Sequence, residues 1–215
     1  QAKSRFLSNM SHDIRTPMNA IMGMTMIGLA HIDEKSRVKD CLLKIKTAST
    51  HLMELVNDVL DMSRIDSGRL VLHEEGFSLA DLVHDIMVIL RPQALQKKQE
   101  LQIEIGTIEE ESLVGDPVCL RQILVNIIGN AIKYTPEEGC IRVDFSQYMQ
   151  GTGGEERAWL DFWCEDNGIG MSKAFLEKIF VPFERVHNST TSKIEGTGLG
   201  MAIVKNLVDK MKGRI

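Results

Sequence analysis

The feature that most constrains this chain is a change of hydrophobic period near Gly68. Before that point, Leu7, Met10, Ile14, Met18, Ile21 and Met22 recur every three or four residues, and the spacing predicts one amphipathic helix from Phe6 to about Leu29. The polar stretch Asp33-Glu34-Lys35-Ser36 ends it. A second periodic run through Leu42, Ile45, Leu52, Val56 and Val59 predicts another helix, ending near Ser67-Gly68. Two long helices joined by so short a link form an antiparallel hairpin. A lone hairpin has too few neighbours to cover both apolar stripes, so two copies related by symmetry, a four-helix bundle, are the expected solution.

Beyond Gly68 the pattern is mixed. Leu70-Val71-Leu72 is expected as a short strand, Leu79 to Leu95 as a helix, Leu101 to Ile105 as a strand and Pro117 to Tyr134 as a helix. Alternation in 141–145 and 159–163 predicts two strands around a Gly-rich hairpin at 151–154, and a last helix runs from Met201 to Met211. These elements make an α/β sandwich of helices on a sheet. The expected domains are therefore 1–68 and 69–215, with the hinge between Ile65 and Phe77.

Several function classes fall away on composition. A net charge of -5 and 5% aromatic residues give neither the basic field nor the stacking platforms of a nucleic-acid binder. The four cysteines, at 41, 119, 140 and 164, lack metal-ligand spacing and look like reduced cytosolic thiols. No stretch of 18 uninterrupted apolar residues occurs, so no direct membrane contact by this segment is expected. The chain opens without a methionine in mid-pattern, and a strand is expected to begin at 212–215, which reads as a fragment of a longer protein.

One candidate nucleophile stands on the first helix. His12 lies two positions from both Met10 and Ile14, about 200° round the helix from the apolar stripe, and is expected to face water. A single surface histidine is ordinarily just solvated. Asp13 beside it, however, can hold the Nδ1 proton and leave Nε2 nucleophilic, and Thr16, one turn on, places a hydroxyl on the same face. Pro17 costs about 3 kcal/mol inside a helix and is expected to bend it near the histidine.

A second constellation suits a nucleotide. Asn126 and Asn130 share one face of the 117–134 helix, with Lys133 and Tyr134 nearby; an amide oxygen can ligate a Mg²⁺ that already carries phosphates, and a lysine adds a point charge. Asp166-Asn167-Gly168-Ile169-Gly170-Met171 follows a strand directly, and there a carboxylate can accept a hydrogen bond from an exocyclic amine while Gly168 and Gly170 let backbone approach a flat ligand. Gly196-Thr197-Gly198-Leu199-Gly200 opens the last helix and offers N–H groups to phosphate. An ordinary turn and an ordinary flexible loop would explain either glycine motif alone; their conjunction is less ordinary. Phe180 and Phe183 are expected to clasp the base of a polar lid over 184–195, from which Arg185 and Lys193 reach phosphate, with plain core packing as the alternative for the two rings.

At this point a resemblance emerges. The block from Phe6 to Ile21, containing His12-Asp13-Ile14-Arg15-Thr16-Pro17, resembles the phosphoacceptor box of sensor histidine kinases, in a wording frequent among hybrid kinases. The asparagine helix, the two glycine motifs and the phenylalanine pair between them resemble, in order and spacing, the boxes of that family's Bergerat-type ATP-binding domain. The resemblance implies a homodimer through the hairpin, with ATP and Mg²⁺ as cofactors. It also implies His12 as phosphoacceptor, with transfer onward to a response-regulator receiver domain. Asp13 would assist deprotonation and Thr16 a phosphatase activity. Asn130 would ligate the metal; Asn126, Lys133 and Tyr134 would line the nucleotide; Asp166 would read adenine; and Gly168, Gly170, Gly196, Gly198 and Gly200 would shape the pocket, with Thr197 and Leu199 in the same loop. A larger parent would be membrane-anchored, and the two domains would rearrange between kinase and acceptor-docking states. The rival readings are a Bergerat ATPase or clamp, a degenerate module that binds nucleotide without transfer, and a predominantly phosphatase protein. Against the first, the position where such ATPases place a water-activating glutamate is Asn126, a poor base.

Overall fold

In a computed structural model of the chain, residues 2–67, 70–150, 157–184 and 196–215 are described; the side chains of 2–9, His12 and Asp66 lie outside that description. The chain divides into two compact units, Gln1–Arg69 with Thr197–Leu199, and Leu70–Gly196 with Gly200–Ile215.

The first unit is a hairpin of α1 (Ala2–Ala30) and α2 (Lys35–Asp66). The link is closed by Glu34 N–H donating to the His31 carbonyl at 2.9 Å. α1 runs unbroken through Pro17, which lacks only its own N–H bond to the carbonyl one turn back. Within one chain the covered seam of α2 is Cys41, Leu55 and Met62, each 9% exposed or less, on a spacing of sevens. Of the residues expected on the stripe, Ile45, Leu52 and Val59 are half-buried, whereas Leu42 and Val56 stand one position round from the seam and are exposed, as are Met18, Met22 and Met26 of α1. A two-helix hairpin covers only the seam between its helices, and the flanks beside it stay bare. No described helix is long and apolar enough to cross a membrane.

The second unit lays helices on one face of a sheet. Strands β2 (Glu100–Ile105), β4 (Cys140–Gln150) and β5 (Arg157–Asp166) form a sheet in the order β2-β4-β5, with β2 parallel and β5 antiparallel to β4. A smaller antiparallel pair joins β1 (Glu75–Ser78) to β3 (Ser112–Gly115). The expected strand at 70–72 is absent: that segment is irregular, and pairing begins at Glu75, opposite Gly115. Leu70-Val71-Leu72 is apolar but has no neighbouring strand to pair with, which a local pattern cannot reveal. The four-residue β3 was not anticipated, and 212–215 form a turn and an irregular end rather than a strand. The expected Gly-rich hairpin at 151–154 lies outside the described residues.

Helices α3 (Leu79–Gln96) and α4 (Pro117–Tyr134) pack on the inner face of the three-stranded sheet. Each presents apolar residues at helical spacing: Leu79, Leu82, Val83, Ile86, Leu90 and Ala94 on α3, and Ile123, Leu124, Ile128, Ala131 and Ile132 on α4. They meet Ile141, Val143 and Phe145 of β4, all essentially inaccessible, and each such side chain contributes about 1.5–3 kcal/mol by burial. Phe145 and Phe162 pair across β4 and β5 with ring centroids 5.2 Å apart. A short helix α5 (Lys173–Leu176) and the amphipathic α6 (Gly200–Lys210) complete the unit, α6 packing on α4 through a face that buries Ala202, Ile203, Val204 and Leu207.

α4 is started by a strong cap. The carboxylate of Asp116 accepts from Cys119 N–H and from His73 N–H, both at 2.9 Å, so the same group ties down the irregular 70–74 segment. Burial by itself would raise this carboxyl, but the N–H bonds from Cys119 and His73 outweigh it and hold the group below the ordinary carboxylate range. A carboxyl lowered on folding stabilises the fold fully above its unfolded value, and that contribution is lost as pH falls through the folded one. Asp116→Ala is therefore expected to cost about 1–2 kcal/mol in urea denaturation near neutral pH, with the gap to the parent chain narrowing as the medium is taken below about pH 4.

Candidate functional site

Asn126, Asn130 and Lys133 stand at successive turns of α4 and share one side of it. Asn126 Nδ2 donates to the Gln122 carbonyl at 2.9 Å, which fixes the amide with its oxygen turned to the start of α6. There Gly200 comes so close that a Cβ would lie 2.9 Å from Asn126 Oδ1. A Cβ on Gly196 would run into Lys133 Nζ. The Lys133 ammonium also sits over the Tyr134 ring, 5.3 Å from its centroid. Between the two glycines, Gly198 takes the left-handed region at φ 70°, the Leu199 side chain is fully buried, and Leu199 N–H donates to Thr197 Oγ1 at 3.1 Å.

The far end of the same helix carries the second glycine motif. Tyr134 carbonyl accepts from Ile169 N–H at 3.3 Å, and Gly168 approaches it so closely that a Cβ would lie 2.7 Å from that oxygen. Asp166, at the end of β5, accepts Gly168 N–H at 2.9 Å with one carboxylate oxygen, and its side chain is exposed. Gly170 then reverses the chain at φ 65°. Asn167, to which the sequence reading assigns no role, accepts Cys140 N–H with Oδ1 at 2.8 Å and donates its own N–H to Cys140 carbonyl, pinning the loop to the start of β4. An Asx residue beside glycine at a strand end is the one local sign of this role. Burial, helped by the Asp166 charge, pushes the nearby Cys164 thiol up to about 12, which disfavours the thiolate.

The structure thus gathers Asn126, Lys133, Tyr134, Asp166, Gly168, Gly170, Gly196 and Gly200 around α4, with Asn130 one turn along from Asn126. Among the described residues no three His, Cys, Asp or Glu side chains converge on a metal position. A divalent cation beside α4 would therefore take most of its oxygens from phosphates and water, the ordinary habit of Mg²⁺, with an asparagine amide as a protein ligand. The residues fit a Mg²⁺–nucleotide better than a bare metal.

His12 lies within α1, but its side chain is outside the described residues. Asp13 is half-buried and Thr16 exposed on the same helix. Phe180 and Phe183 are half-buried in the turns after α5, Phe183 in the left-handed region at φ 68°. Arg185, Lys193 and nearly all of the expected lid lie outside the described residues.

Comparison with known proteins matches two separate stretches of the chain. Residues 2–68 match the His Kinase A (phospho-acceptor) domain, and residues 115–215 match the family of histidine kinase-, DNA gyrase B- and HSP90-like ATPases. The sensor histidine kinase GacS of Pseudomonas protegens is 40% identical over 217 residues, which cover 99% of this chain and 23% of GacS. Full-length ShkA in complex with AMPPNP superposes with a TM-score of 0.64 at 28% identity, over 97% of this chain and 41% of ShkA. Histidine kinase ThkA in complex with the response regulator protein TrrA shares the fold, with a TM-score of 0.61 at 24% identity over 89% of this chain and 54% of ThkA. The chain spans less than a third of the length of the curated relatives it matches.

The glycine environments generate a paired prediction. Gly168→Ala forces a Cβ against both Asp166 Oδ1 and the Tyr134 carbonyl, and is expected to destabilise by about 1–3 kcal/mol. Gly129→Ala, inside α4 with open space where its Cβ would go, is expected to stabilise by roughly 0.5–1 kcal/mol. Chemical denaturation of both variants checks the pair, and equal effects would contradict the packing described.

Proposed function

The chain belongs to the sensor histidine kinases, and from that premise we propose that it transfers the γ-phosphate of ATP to its own His12 and from there to an aspartate of a response-regulator receiver domain. The observation that carries the proposal is the α4 site: two asparagine amides, a lysine and two glycine segments packed against one helix, in the same chain as a histidine followed by an acid.

Chemically, Nε2 of His12 attacks the γ-phosphorus, the bond to the β-phosphate oxygen breaks, and ADP leaves. Asp13 is assigned to hold the Nδ1 proton, so that the lone pair is presented at Nε2. The protein's contribution is positioning and charge, since phosphoryl transfer needs little covalent help. When bound, Mg²⁺ would offset phosphate charge, with Asn130 as its protein ligand. Lys133 is assigned to a phosphate oxygen, Asn126 and Tyr134 to the nucleotide's flank, and Asp166 to the adenine amine. Gly196, Thr197, Gly198, Leu199 and Gly200 would wrap the phosphates at the start of α6. Phe180, Arg185 and Lys193 are proposed to close the site.

The AMPPNP complex of ShkA supports the nucleotide assignment, and the ThkA complex with TrrA supports a response regulator as acceptor. Asn126 favours transfer over hydrolysis by a water, because an amide cannot serve as the base. The exposed apolar flanks of α1 and α2 support dimerisation through the hairpin. Thr16, one turn from His12, is assigned to hydrolysis of the phosphorylated partner, and attachment to a membrane is assigned to a larger parent protein.

Incubation with γ-labelled ATP and Mg²⁺ tests the reading. The chain is expected to take up label that is acid-labile and base-stable, with His12→Gln and Asn130→Ala each lowering it at least a hundredfold. Acid-stable label, or full labelling of His12→Gln, would refute the assignment of the acceptor.

A further inference from the structure

The last turn of an α-helix leaves four carbonyls without helical partners. At the end of α4 these are the groups that carry Lys133 and Tyr134 and receive the Gly168 loop, so their satisfaction decides where the proposed nucleotide residues stand. Ala131 carbonyl accepts from Thr135 N–H and Tyr134 carbonyl from Ile169 N–H. Most of the rest is supplied by two side chains that belong to neither glycine motif. Lys97 Nζ donates to the carbonyls of Ile132, Lys133 and Thr135 at 2.8, 2.9 and 3.3 Å. Gln99 Nε2 donates to those of Ile132, Thr135 and Pro136 at 3.0, 2.7 and 3.2 Å.

The local chain explains how two residues so close in sequence converge on one target. α3 ends in a Schellman turn, with Gln99 N–H donating to Ala94 carbonyl and Lys98 N–H to Leu95 carbonyl, both at 2.9 Å. Lys98 takes the left-handed conformation at φ 55° and is exposed. Lys97 and Gln99 on either side of it turn inward, Gln99 to 5% exposure. Backbone bonds lock the arrangement: Glu138 N–H donates to Lys97 carbonyl and Glu100 N–H to Gly139 carbonyl. A cation at a helix C-terminus is also favoured by the helix dipole, and burial lowers the Lys97 ammonium from its ordinary value.

We propose that Lys97 and Gln99 are positioning residues for the nucleotide: by clamping the C-terminal carbonyls of α4 they set the place of Lys133 and Tyr134 and, through the Tyr134 carbonyl, of the Asp166–Gly170 loop. The proposal rests on the nucleotide reading above. Neither residue touches the ligand; each acts through the helix end. A simple helix cap would cost stability alone, whereas a positioning clamp weakens ATP binding in protein that is still folded.

The test is ATP affinity by calorimetry on the 215-residue chain and on Lys97→Met, Lys97→Arg, Gln99→Met and Ile86→Val. Thermal melts confirm that each is folded at the assay temperature. Met matches Gln in length, is one atom shorter than Lys and removes the donors of either, Arg restores donors at 97, and Ile86→Val is a core lesion midway along α3. The expected result is a loss of about tenfold or more in affinity for Lys97→Met and Gln99→Met, recovery to within about threefold for Lys97→Arg, and parental affinity for Ile86→Val. Folded Lys97→Met and Gln99→Met that bind as the parent does would overturn the proposal. So would failure of both to fold, since the pair would then be a structural cap only. No ATP binding by the parent chain would instead sink the nucleotide reading, and the proposal with it.

Discussion

The second unit depends on one helix having both its ends satisfied from outside itself. α4 begins on the Asp116 carboxylate and ends on donors from Lys97, Gln99, Thr135 and Ile169. Buried main-chain polar groups left without partners cost far more than a surface contact returns, so these bonds determine where the helix stops. Everything proposed for the nucleotide is referred to that helix. Gly168 lies against the Tyr134 carbonyl, Gly196 against Lys133 and Gly200 against Asn126. The glycines are required there by protein packed against protein, before any ligand is considered.

Much of this was legible in the residues. The bounds of α4 followed from Pro117 at its start and the pattern through Tyr134, because α4 is long, amphipathic and locally capped. The alternation in β4 and β5 was equally plain. Where the reading failed, partners distant in sequence decide the outcome. Leu70-Val71-Leu72 has a strand's composition but no strand beside it, whereas Glu75–Ser78 pairs with a β3 too short to show any period. Asn167, Lys97 and Gln99 act through bonds to backbone 27 to 38 positions away, which no local spacing announces. Of the stripe expected on α2, Ile45, Leu52 and Val59 are half-buried, and Leu42 and Val56 fall on an apolar flank that a single chain leaves exposed.

The first unit makes the complementary point. Its helices expose Met18, Met22, Met26, Leu42 and Leu60, more apolar surface than a solitary hairpin keeps in water without consequence. The proposed symmetric pair of hairpins would cover those flanks. The role of His12 came from its sequence setting beside Asp13, Thr16 and Pro17 and from the resemblance that setting carries, since periodicity does not mark it out.

Whether the C-terminal half of α4 and the two glycine segments hold a nucleotide is decided by backbone amide NMR during titration with ATP and Mg²⁺. The first and largest shifts are expected on residues 126–134, 166–171 and 196–200, while mid-α3 amides around Ile86 stay still. Shifts that leave those three segments unmoved and appear elsewhere in the chain would contradict a nucleotide site there.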